Sequence, residues 1–249
     1  MQRAALFDVD GTLTDTTYLH VTAWFEALRQ AGHRVPMRAV HRAVGLPSKD
    51  LLAHLLGEDR DPDQDEQLTA AHDALYATWF ERLPALEGAG DLLRRLDGLG
   101  WTVVLVTSAS GTELEALRAA IDADPVIAAT TSADEVSRGK PDPEPVHRGL
   151  ELAGVRPERG VFVGDSVWDM EAGVRAGVTC VGLLSGGIPE PDLRRAGASA
   201  VYAHPAELLA RLEESPFASG SADPSASPSA SPSASPSGSP SGKAAPSAP

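Results

Sequence analysis

The sequence contains a single cysteine, Cys180, and no long apolar stretch. One cysteine cannot form an internal disulfide, and a free thiol is typical of a reducing compartment. No apolar run approaches the roughly 18 residues that a membrane-spanning helix needs. The first predicted strand begins close to Met1, which leaves no room for a cleavable signal sequence. We therefore expect a soluble, cytoplasmic protein without a membrane partner.

Basic residues are also scarce. The chain has 21 Lys and Arg residues against 35 Asp and Glu residues, and its formal net charge is -14 at pH 7. This balance argues against nucleic acid and anionic membranes as partners, although it permits a local positive pocket. The 249 residues, of which 42% are hydrophobic, suffice for one large domain or a domain with an insertion. Composition leaves monomer and dimer equally open.

The C-terminal segment differs in composition from the rest of the chain. From about Ser215 it repeats Ser, Ala or Gly, Ser and Pro, with few side chains able to bury area. Such a sequence does not offset the entropy of ordering, and its prolines disfavour helix and sheet. We predict that residues 215–249 form a disordered Ser/Ala/Pro-rich tail.

Residues before the tail alternate between apolar strands and amphipathic helices. The strand candidates are "AALFDVD", "TVVLVT", "GVFVGD" and "TCVGLL", and the helix candidates include "GTELEALRAAI" and "WDMEAGVRAG". Strands that are apolar without strict alternation are typical of a sheet covered on both faces. The pattern predicts an α/β fold with an open, parallel, Rossmann-like sheet and helices on both faces, formed by residues 1–14 and 84–214.

One segment interrupts this alternation. Residues 15–83 have helical periodicity almost throughout and contain no strong strand candidate. An insertion after the first strand would lie above the carboxyl edge of the sheet, where open α/β proteins bind ligands. We therefore predict an all-helical cap over residues 15–83 that acts as a lid; a purely structural subdomain is the alternative.

The motif "DVDGT" ends the first strand and places Asp8 and Asp10 two residues apart. In a strand, residues i and i+2 point in the same direction, so the two carboxylates would repel each other. Gly11 permits a tight turn whose backbone amides can face a phosphate. The motif therefore suggests an acidic site that needs a cation.

Other polar groups follow the later strands in order. Thr107 and Ser108 end the second apolar strand, Lys140 lies in a Gly- and Pro-bounded loop, and Asp165 and Asp169 follow "VFVG". In a parallel sheet these groups converge on one edge. Mg²⁺ accepts a few carboxylates together with a phosphate oxygen, and lysine and hydroxyl groups bind phosphate. The set suits attack of a carboxylate on phosphorus.

These motifs resemble those of the haloacid dehalogenase superfamily, in its branch of phosphatases and β-phosphoglucomutases with a helical cap. The first motif stands as "DVDGT", the second as Thr107, the third as Lys140 before "PDP", and the fourth as "GDSVWD". All four occur in the order of the family, and the resemblance covers about residues 3–213. The tail lies outside it.

The resemblance implies a role for each motif residue. Asp8 would be the nucleophile that forms an aspartyl-phosphate, and Asp10 the general acid and then the base, with a raised pKa. Mg²⁺ would be held by Asp8, Asp165 and the backbone carbonyl of Asp10, with support from Asp169. The phosphoryl oxygens would be bound by Gly11, Thr107, Ser108 and Lys140.

The resemblance also narrows the reaction. Dehalogenases of this family lack an acid at the position of Asp10, so its presence favours phosphoryl transfer. We expect a phosphatase acting on a small phosphorylated metabolite such as a sugar phosphate or a phosphoglycolate-like acid. A phosphosugar mutase of the β-phosphoglucomutase type is the alternative, and a phospho-aspartate signalling module is less favoured. Candidate substrate contacts in the cap are His20, His41, Arg42 and Lys49.

Overall fold

A computed structural model describes residues 2–57, 60–132 and 136–218. Its six strands are β1 (Arg3–Phe7), β2 (Trp101–Val106), β3 (Ile127–Thr131), β4 (Gly160–Gly164), β5 (Thr179–Leu183) and β6 (Ala200–Tyr202). They form one parallel sheet in the order β3-β2-β1-β4-β5-β6. The predicted α/β class with an open, parallel, Rossmann-like sheet is confirmed.

The described residues form ten α-helices. They are α1 (Thr17–Gln30), α2 (Met37–Ala43), α3 (Ser48–Leu56), α4 (Asp65–Ala77), α5 (Ala89–Gly98), α6 (Gly111–Ile121), α7 (Glu144–Ala153), α8 (Val167–Ala176), α9 (Glu190–Ala196) and α10 (Pro205–Ala210). None of these helices is both long enough and apolar enough to cross a bilayer.

The central strand β1 is buried on both faces, and its side chains alternate between two hydrophobic clusters. Ala5 and Phe7 pack into the cluster that contains helix α5, whereas Ala4 and Leu6 pack into the cluster that contains helices α7 and α8. This two-sided burial explains why the strand is apolar without alternation. It also places the chain that leaves β1 in the middle of the carboxyl edge of the sheet.

Helices α1 to α4 lie between β1 and β2 in sequence, and they share a third hydrophobic cluster. Trp24 and Leu28 of α1 pack there with Leu51 and Leu52 of α3 and with Leu68 of α4. The helical periodicity of this segment therefore corresponds to helices that bury their apolar faces against one another.

Two strands were not anticipated from the sequence. Both β3 and β6 form edges of the sheet. Strand β3 has the sequence IAATT and is only partly buried, and β6 contains only three residues. Neither presents a continuous apolar run, because an edge strand packs against fewer neighbours than a central one.

The predicted start of the tail at Ser215 is wrong by at least three residues. Ser215 and Phe217 are both buried. The Phe217 ring stacks on Phe7 at a centroid distance of 6.4 Å and meets Trp101 edge-on at 5.0 Å. A lone aromatic residue that follows helix α10 thus completes the core. The prediction of disorder for residues 219–249 lies outside the described residues.

Replacing Phe217 by alanine should destabilise the fold. The substitution removes a buried ring beneath β1 and leaves a cavity, so we expect a loss of about 3 kcal/mol in the free energy of unfolding, measured by urea denaturation. The control is Leu99→Ala at an exposed position, which should change stability by less than about 0.5 kcal/mol. Equal stability of both variants would contradict the assignment of Phe217 to the core.

Candidate active site

Three neighbouring strands end beside one cavity of about 270 Å³. Asp8 follows β1, Thr107 follows β2 and Asp165 follows β4. Strand β1 pairs in parallel with both neighbours, and the Asp8 amide donates to the Val163 carbonyl over 2.9 Å. The order of the strands therefore brings groups from distant parts of the sequence to one place.

Lys140 joins this group from the loop before α7. Its buried ammonium donates to Asp8 Oδ1 and, over 2.7 Å, to Asp169 Oδ1. Burial alone would lower the pKa of Lys140, but Asp169 and Asp8 outweigh it and raise the pKa above its ordinary value. Lys140 is therefore a permanent positive charge between two carboxylates.

Asp8, Asp165 and Asp169 form a buried carboxylate cluster whose oxygens lie within 4.8 Å of one another. Burial raises the pKa of Asp8 to about 7, against the lowering effect of Lys140. Burial, Asp8 and Asp169 together raise the pKa of Asp165 well above its ordinary value. Hard oxygen donors whose charges repel one another fit a divalent cation, which would relieve the repulsion.

The first turn of α8 orients Asp169. Ser166 is the N-cap residue, and its hydroxyl accepts from the Asp169 amide over 3.2 Å. Asp169 Oδ2 in turn accepts from the Ser166 amide over 3.0 Å, so the two residues form a capping box. The other carboxylate oxygen is left to face Lys140. Helix capping and ion pairing are thus combined in one side chain.

The Asp165 carboxylate is held by two loops whose backbones approach it closely. Thr12 Oγ1 donates to Asp165 Oδ1 over 3.0 Å. Gly11 has a φ of 77°, and a Cβ at Gly11 or at Gly186 would overlap the Asp165 carboxylate. Ser185 Oγ donates to the Gly11 carbonyl over 2.6 Å and joins the two loops. Gly11 is therefore required both for its turn and for the space beside Asp165.

Thr107 and Ser108, which follow β2 and were predicted to bind phosphate, have different positions. Ser108 lines the cavity. Thr107 is buried, is not one of the lining residues, and accepts from the Ala109 amide over 3.0 Å. Its amide also donates to the Thr131 carbonyl of β3 over 3.2 Å. In this structure Thr107 supports the turn, whereas Ser108 faces the space beside Lys140.

Asp10 faces away from the carboxylate cluster. Its Oδ1 accepts from Thr16 Oγ1 over 2.6 Å and from the Tyr76 hydroxyl over 3.3 Å, and lies 3.2 Å from His20 Nε2. Among the hydrogen bonds of the described residues, none involves Asp10 Oδ2. One oxygen is therefore held by the cap, and the other is available to a substrate.

The expected raised pKa of Asp10 is not found. Burial would raise this pKa, yet the hydrogen bond and charge of His20, together with Thr16, lower it below its ordinary value. Burial lowers the pKa of His20, but Asp10 outweighs that effect and raises it. The proton of this pair therefore resides mainly on the imidazole, because Asp10 is close to a base that sequence reasoning treated only as a substrate contact.

His72 and Tyr76 of α4 lie beside the contact between His20 and Asp10, and neither was identified as a site residue from the sequence. His20 Nδ1 lies 3.1 Å from His72 Nε2, and His72 Nδ1 lies 2.8 Å from Asp73 Oδ1. The His20 and Tyr76 rings stack at a centroid distance of 3.9 Å. His72 and Tyr76 are four residues apart on one helix face, which was a signal that the sequence contained.

Glu113 in the first turn of α6 was also missed. Its carboxyl oxygen lies within 4.8 Å of ligand atoms of both Asp10 and His20. Burial and the charge of Asp10 raise the pKa of Glu113 to about 7. In the sequence, Glu113 is one of several acidic residues on an amphipathic helix and has no motif around it.

The four predicted cap contacts divide into two pairs. His20 and His41 line the cavity, and His41 Nε2 lies 2.6 Å from the Gly186 carbonyl. Arg42 instead pairs with Asp192 of α9 over 2.7 Å and, like the exposed Lys49, lies outside the cavity. The expectation that Arg42 and Lys49 reach the site therefore differs from the structure, because both side chains leave the outer surface of their helices.

Comparison with known proteins agrees with this architecture. The family model of the haloacid dehalogenase-like hydrolases matches residues 2–177 of this chain. The chain belongs to this family, and the predicted resemblance is confirmed.

Relatives and solved structures of this family define the class further. The chain is 31% identical over 188 residues to validoxylamine A 7'-phosphate phosphatase of Streptomyces hygroscopicus subsp. limoneus, covering 74% of this chain and 87% of that protein. It is 29% identical over 225 residues to N-acetylmuramic acid 6-phosphate phosphatase of Pseudomonas aeruginosa, covering 86% and 96%. A hydrolase structure from Pseudomonas syringae superposes with a TM-score of 0.81 at 36% identity, covering 86% and 99%. The predicted enzyme class, a phosphatase-type hydrolase, is confirmed.

Replacing Asp165 by asparagine should stabilise the protein in the absence of divalent cations. The substitution removes a buried charge that Asp8 and Asp169 repel. We therefore expect the free energy of unfolding in EDTA at pH 8 to increase by about 1–3 kcal/mol. Urea denaturation measures it.

We expect Mg²⁺ to stabilise the parent protein, and the same variant should lose most of that stabilisation, because one carboxylate of the cluster is gone. The control is Asp97→Asn at an exposed position of α5, which should leave both measurements unchanged. An Asp165 variant that is less stable than the parent in EDTA would show that the cluster is not under repulsion.

Proposed function

We propose that this protein is a Mg²⁺-dependent phosphatase that hydrolyses small phosphate monoesters through an aspartyl-phosphate on Asp8. The observation that carries the proposal is the contrast between two aspartates of one motif. Asp8 contacts Lys140 within the carboxylate cluster, whereas Asp10 contacts His20, Thr16 and Tyr76. One environment suits a nucleophile and the other suits proton transfer.

The cation would be held by the carboxylates of Asp8 and Asp165 and the backbone carbonyl of Asp10, with Asp169 in support. When bound, it supplies positive charge that keeps Asp8 ionised and offsets the charge of the phosphoryl oxygens. Lys140 and the Ser108 region would bind the same oxygens from the opposite side. The amides of Gly11 and Thr12 donate within the turn, to the Thr14 and Val9 carbonyls over 2.8 and 3.2 Å, so Gly11 would serve the phosphate site through the shape of the turn and not, as the sequence suggested, through its own amide.

In the first step, an oxygen of Asp8 forms a bond to phosphorus while the ester bond to the leaving oxygen breaks. The proton held by His20 Nε2 passes to Asp10 Oδ1 through their hydrogen bond. Rotation of the carboxyl group turns this proton toward the leaving oxygen, and Asp10 delivers it there. In the second step, water attacks the phosphorus of the aspartyl-phosphate and loses a proton to Asp10. The acyl-phosphate bond breaks, and inorganic phosphate leaves.

Helices α1 to α4 are proposed to act as a cap, as the sequence predicts. They contribute His20 and His72 to the cavity lining and a hydroxyl donor to Asp10 from the buried Tyr76, and they have a hydrophobic cluster of their own. A cap built in this way can exclude water during the first step. The cytoplasmic location stays a prediction.

A phosphosugar mutase is less well supported. Such an enzyme must bind a second phosphate, which requires positive charge on the cap side. Within the described ranges, Lys140 is the only Lys or Arg that lines the cavity, and it is paired with Asp8 and Asp169. The relatives named above are phosphatases. These observations favour transfer of the phosphoryl group to water.

The full-length protein with Mg²⁺ should release inorganic phosphate from a panel of sugar phosphates, because attack by Asp8 requires an ionised carboxylate and a neutralised phosphate. Release should fall by at least about a thousandfold in EDTA and in Asp8→Asn. The measurement is a phosphate assay with chromatography of the organic product. Undiminished release by Asp8→Asn would refute the covalent mechanism, and isomeric phosphates without release would identify a mutase.

Replacing Asp10 by asparagine should affect substrates according to their leaving groups. An alkyl phosphate needs a proton on its leaving oxygen, so its kcat/KM should fall by about 10²–10⁴. The leaving group of p-nitrophenyl phosphate is a stable phenolate that needs no proton. The rate of the first step should therefore fall less for this substrate.

Rapid mixing of p-nitrophenyl phosphate with the Asp10 variant should then reveal a burst of about one nitrophenolate per active site, followed by slow turnover. The burst would arise because the intermediate forms but lacks a base for its hydrolysis. Equal losses for both substrates, without a burst, would remove the acid and base assignment of Asp10.

A further inference from the structure

Glu113 is a carboxyl group on the leaving-group side of the cavity that the proposed mechanism does not use. Helix α6 begins at Gly111 directly after β2, so Glu113 lies in its first turn and lines the cavity near Asp10 and His20. Among the described residues, no hydrogen bond or ion pair to its side chain is found. A partly buried carboxyl without a protein partner is poised to accept a hydrogen bond from a ligand.

Other groups that line the cavity have matching chemistry. Asp73 lines the cavity beyond His72, and Thr69, Ser48 and Ser110 contribute hydroxyl groups. The indole of Trp24, stacked on His72 at 4.3 Å, forms an apolar wall. Hydroxyls and carboxylates beside an aromatic wall are suited to a polyhydroxylated ring.

The distribution of charge points the same way. Among the described residues that line the cavity, Lys140 is the one lysine; it lies on the phosphoryl side and is paired with Asp8 and Asp169. Arg42 is paired with Asp192 outside the cavity. The imidazolium of His20 is already paired with Asp10, and no lysine or arginine other than Lys140 is among the described lining residues. An anionic group on the substrate's leaving portion would therefore face Glu113 and Asp73, and like charges at close range disfavour binding.

We propose that Glu113 is a specificity-determining residue that selects phosphate monoesters whose leaving group carries hydroxyl or ammonium groups, and that it rejects leaving groups bearing a carboxylate or a second phosphate. This inference rests on the proposed function, because it concerns the part of the substrate that departs with the proton from Asp10. It narrows the substrate class to polyol, sugar and aminosugar phosphates.

The test compares kcat/KM for three hexose-derived phosphates of similar size: glucosamine 6-phosphate, glucose 6-phosphate and 6-phosphogluconate. At pH 8.5, above the Glu113 pKa of about 7, the parent protein with Mg²⁺ should prefer the first two over the carboxylate by at least about tenfold. In Glu113→Gln, the ratio of glucosamine 6-phosphate to 6-phosphogluconate should fall by about tenfold, mainly through KM, because the interaction concerns substrate binding.

Two further variants make the result specific. Glu115→Gln changes an exposed glutamate on the same helix, outside the cavity, and should leave all three values unchanged. Asp73→Asn should shift the ratio in the same direction as Glu113→Gln but by a smaller factor, because its exposed side chain is screened by water. Thermal unfolding should show that Glu113→Gln folds like the parent, since the glutamate has no protein partner to lose.

The outcomes separate the two proposals. If phosphate is released but the parent prefers 6-phosphogluconate, or if Glu113→Gln and Glu115→Gln have the same substrate ratio, the role of Glu113 is overturned while the phosphatase assignment stands. If none of the three esters nor p-nitrophenyl phosphate releases phosphate, the proposed function fails and the selectivity fails with it.

Discussion

The buried ammonium of Lys140 is the contact on which the site depends. It joins Asp8 at the end of β1 to Asp169 in the first turn of α8, and thus links two elements that meet only because β4 lies beside β1. Without a positive charge, the carboxylates of Asp8, Asp165 and Asp169 would be desolvated and mutually repulsive. The fold tolerates this cluster because one lysine offsets part of its charge, and the remainder creates the demand for a divalent cation.

The different neighbours of Asp8 and Asp10 explain how one short motif can serve two chemical roles. Asp8 lies on the side of Lys140, and Asp10 lies on the side of His20. The turn at Gly11 follows immediately and brings the backbone against Asp165. The side chains of the motif are therefore divided between the core and the helices above it. A proton can be held on one side while a nucleophile stays ionised on the other.

The helical segment after β1 contributes side chains to the contacts of Asp10 and to the lining of the cavity. Its rings hold Asp10 through His20 and Tyr76, and its polar groups face Glu113 of the core across the cavity. In the proposed reaction, the phosphoryl side is built from motif residues, whereas the leaving-group side combines Asp10 of the first motif with residues outside any motif. This division explains how one family mechanism can be combined with different substrates.

The sequence by itself determined the parallel α/β class, the helical segment after β1 and the groups at the carboxyl edge, because apolar periodicity and short motifs are local properties of the chain. The tertiary structure alone decided which way each side chain points across the cavity. It brought His72, Tyr76 and Glu113 to Asp10, kept Arg42 and Lys49 outside, and placed Phe217 under β1. The edge strands β3 and β6 also became recognisable only through their pairing. The contact of Asp10 with His20 in the helical segment sets the position of the shared proton, since a pKa depends on neighbours in space and the sequence does not show which way a side chain turns.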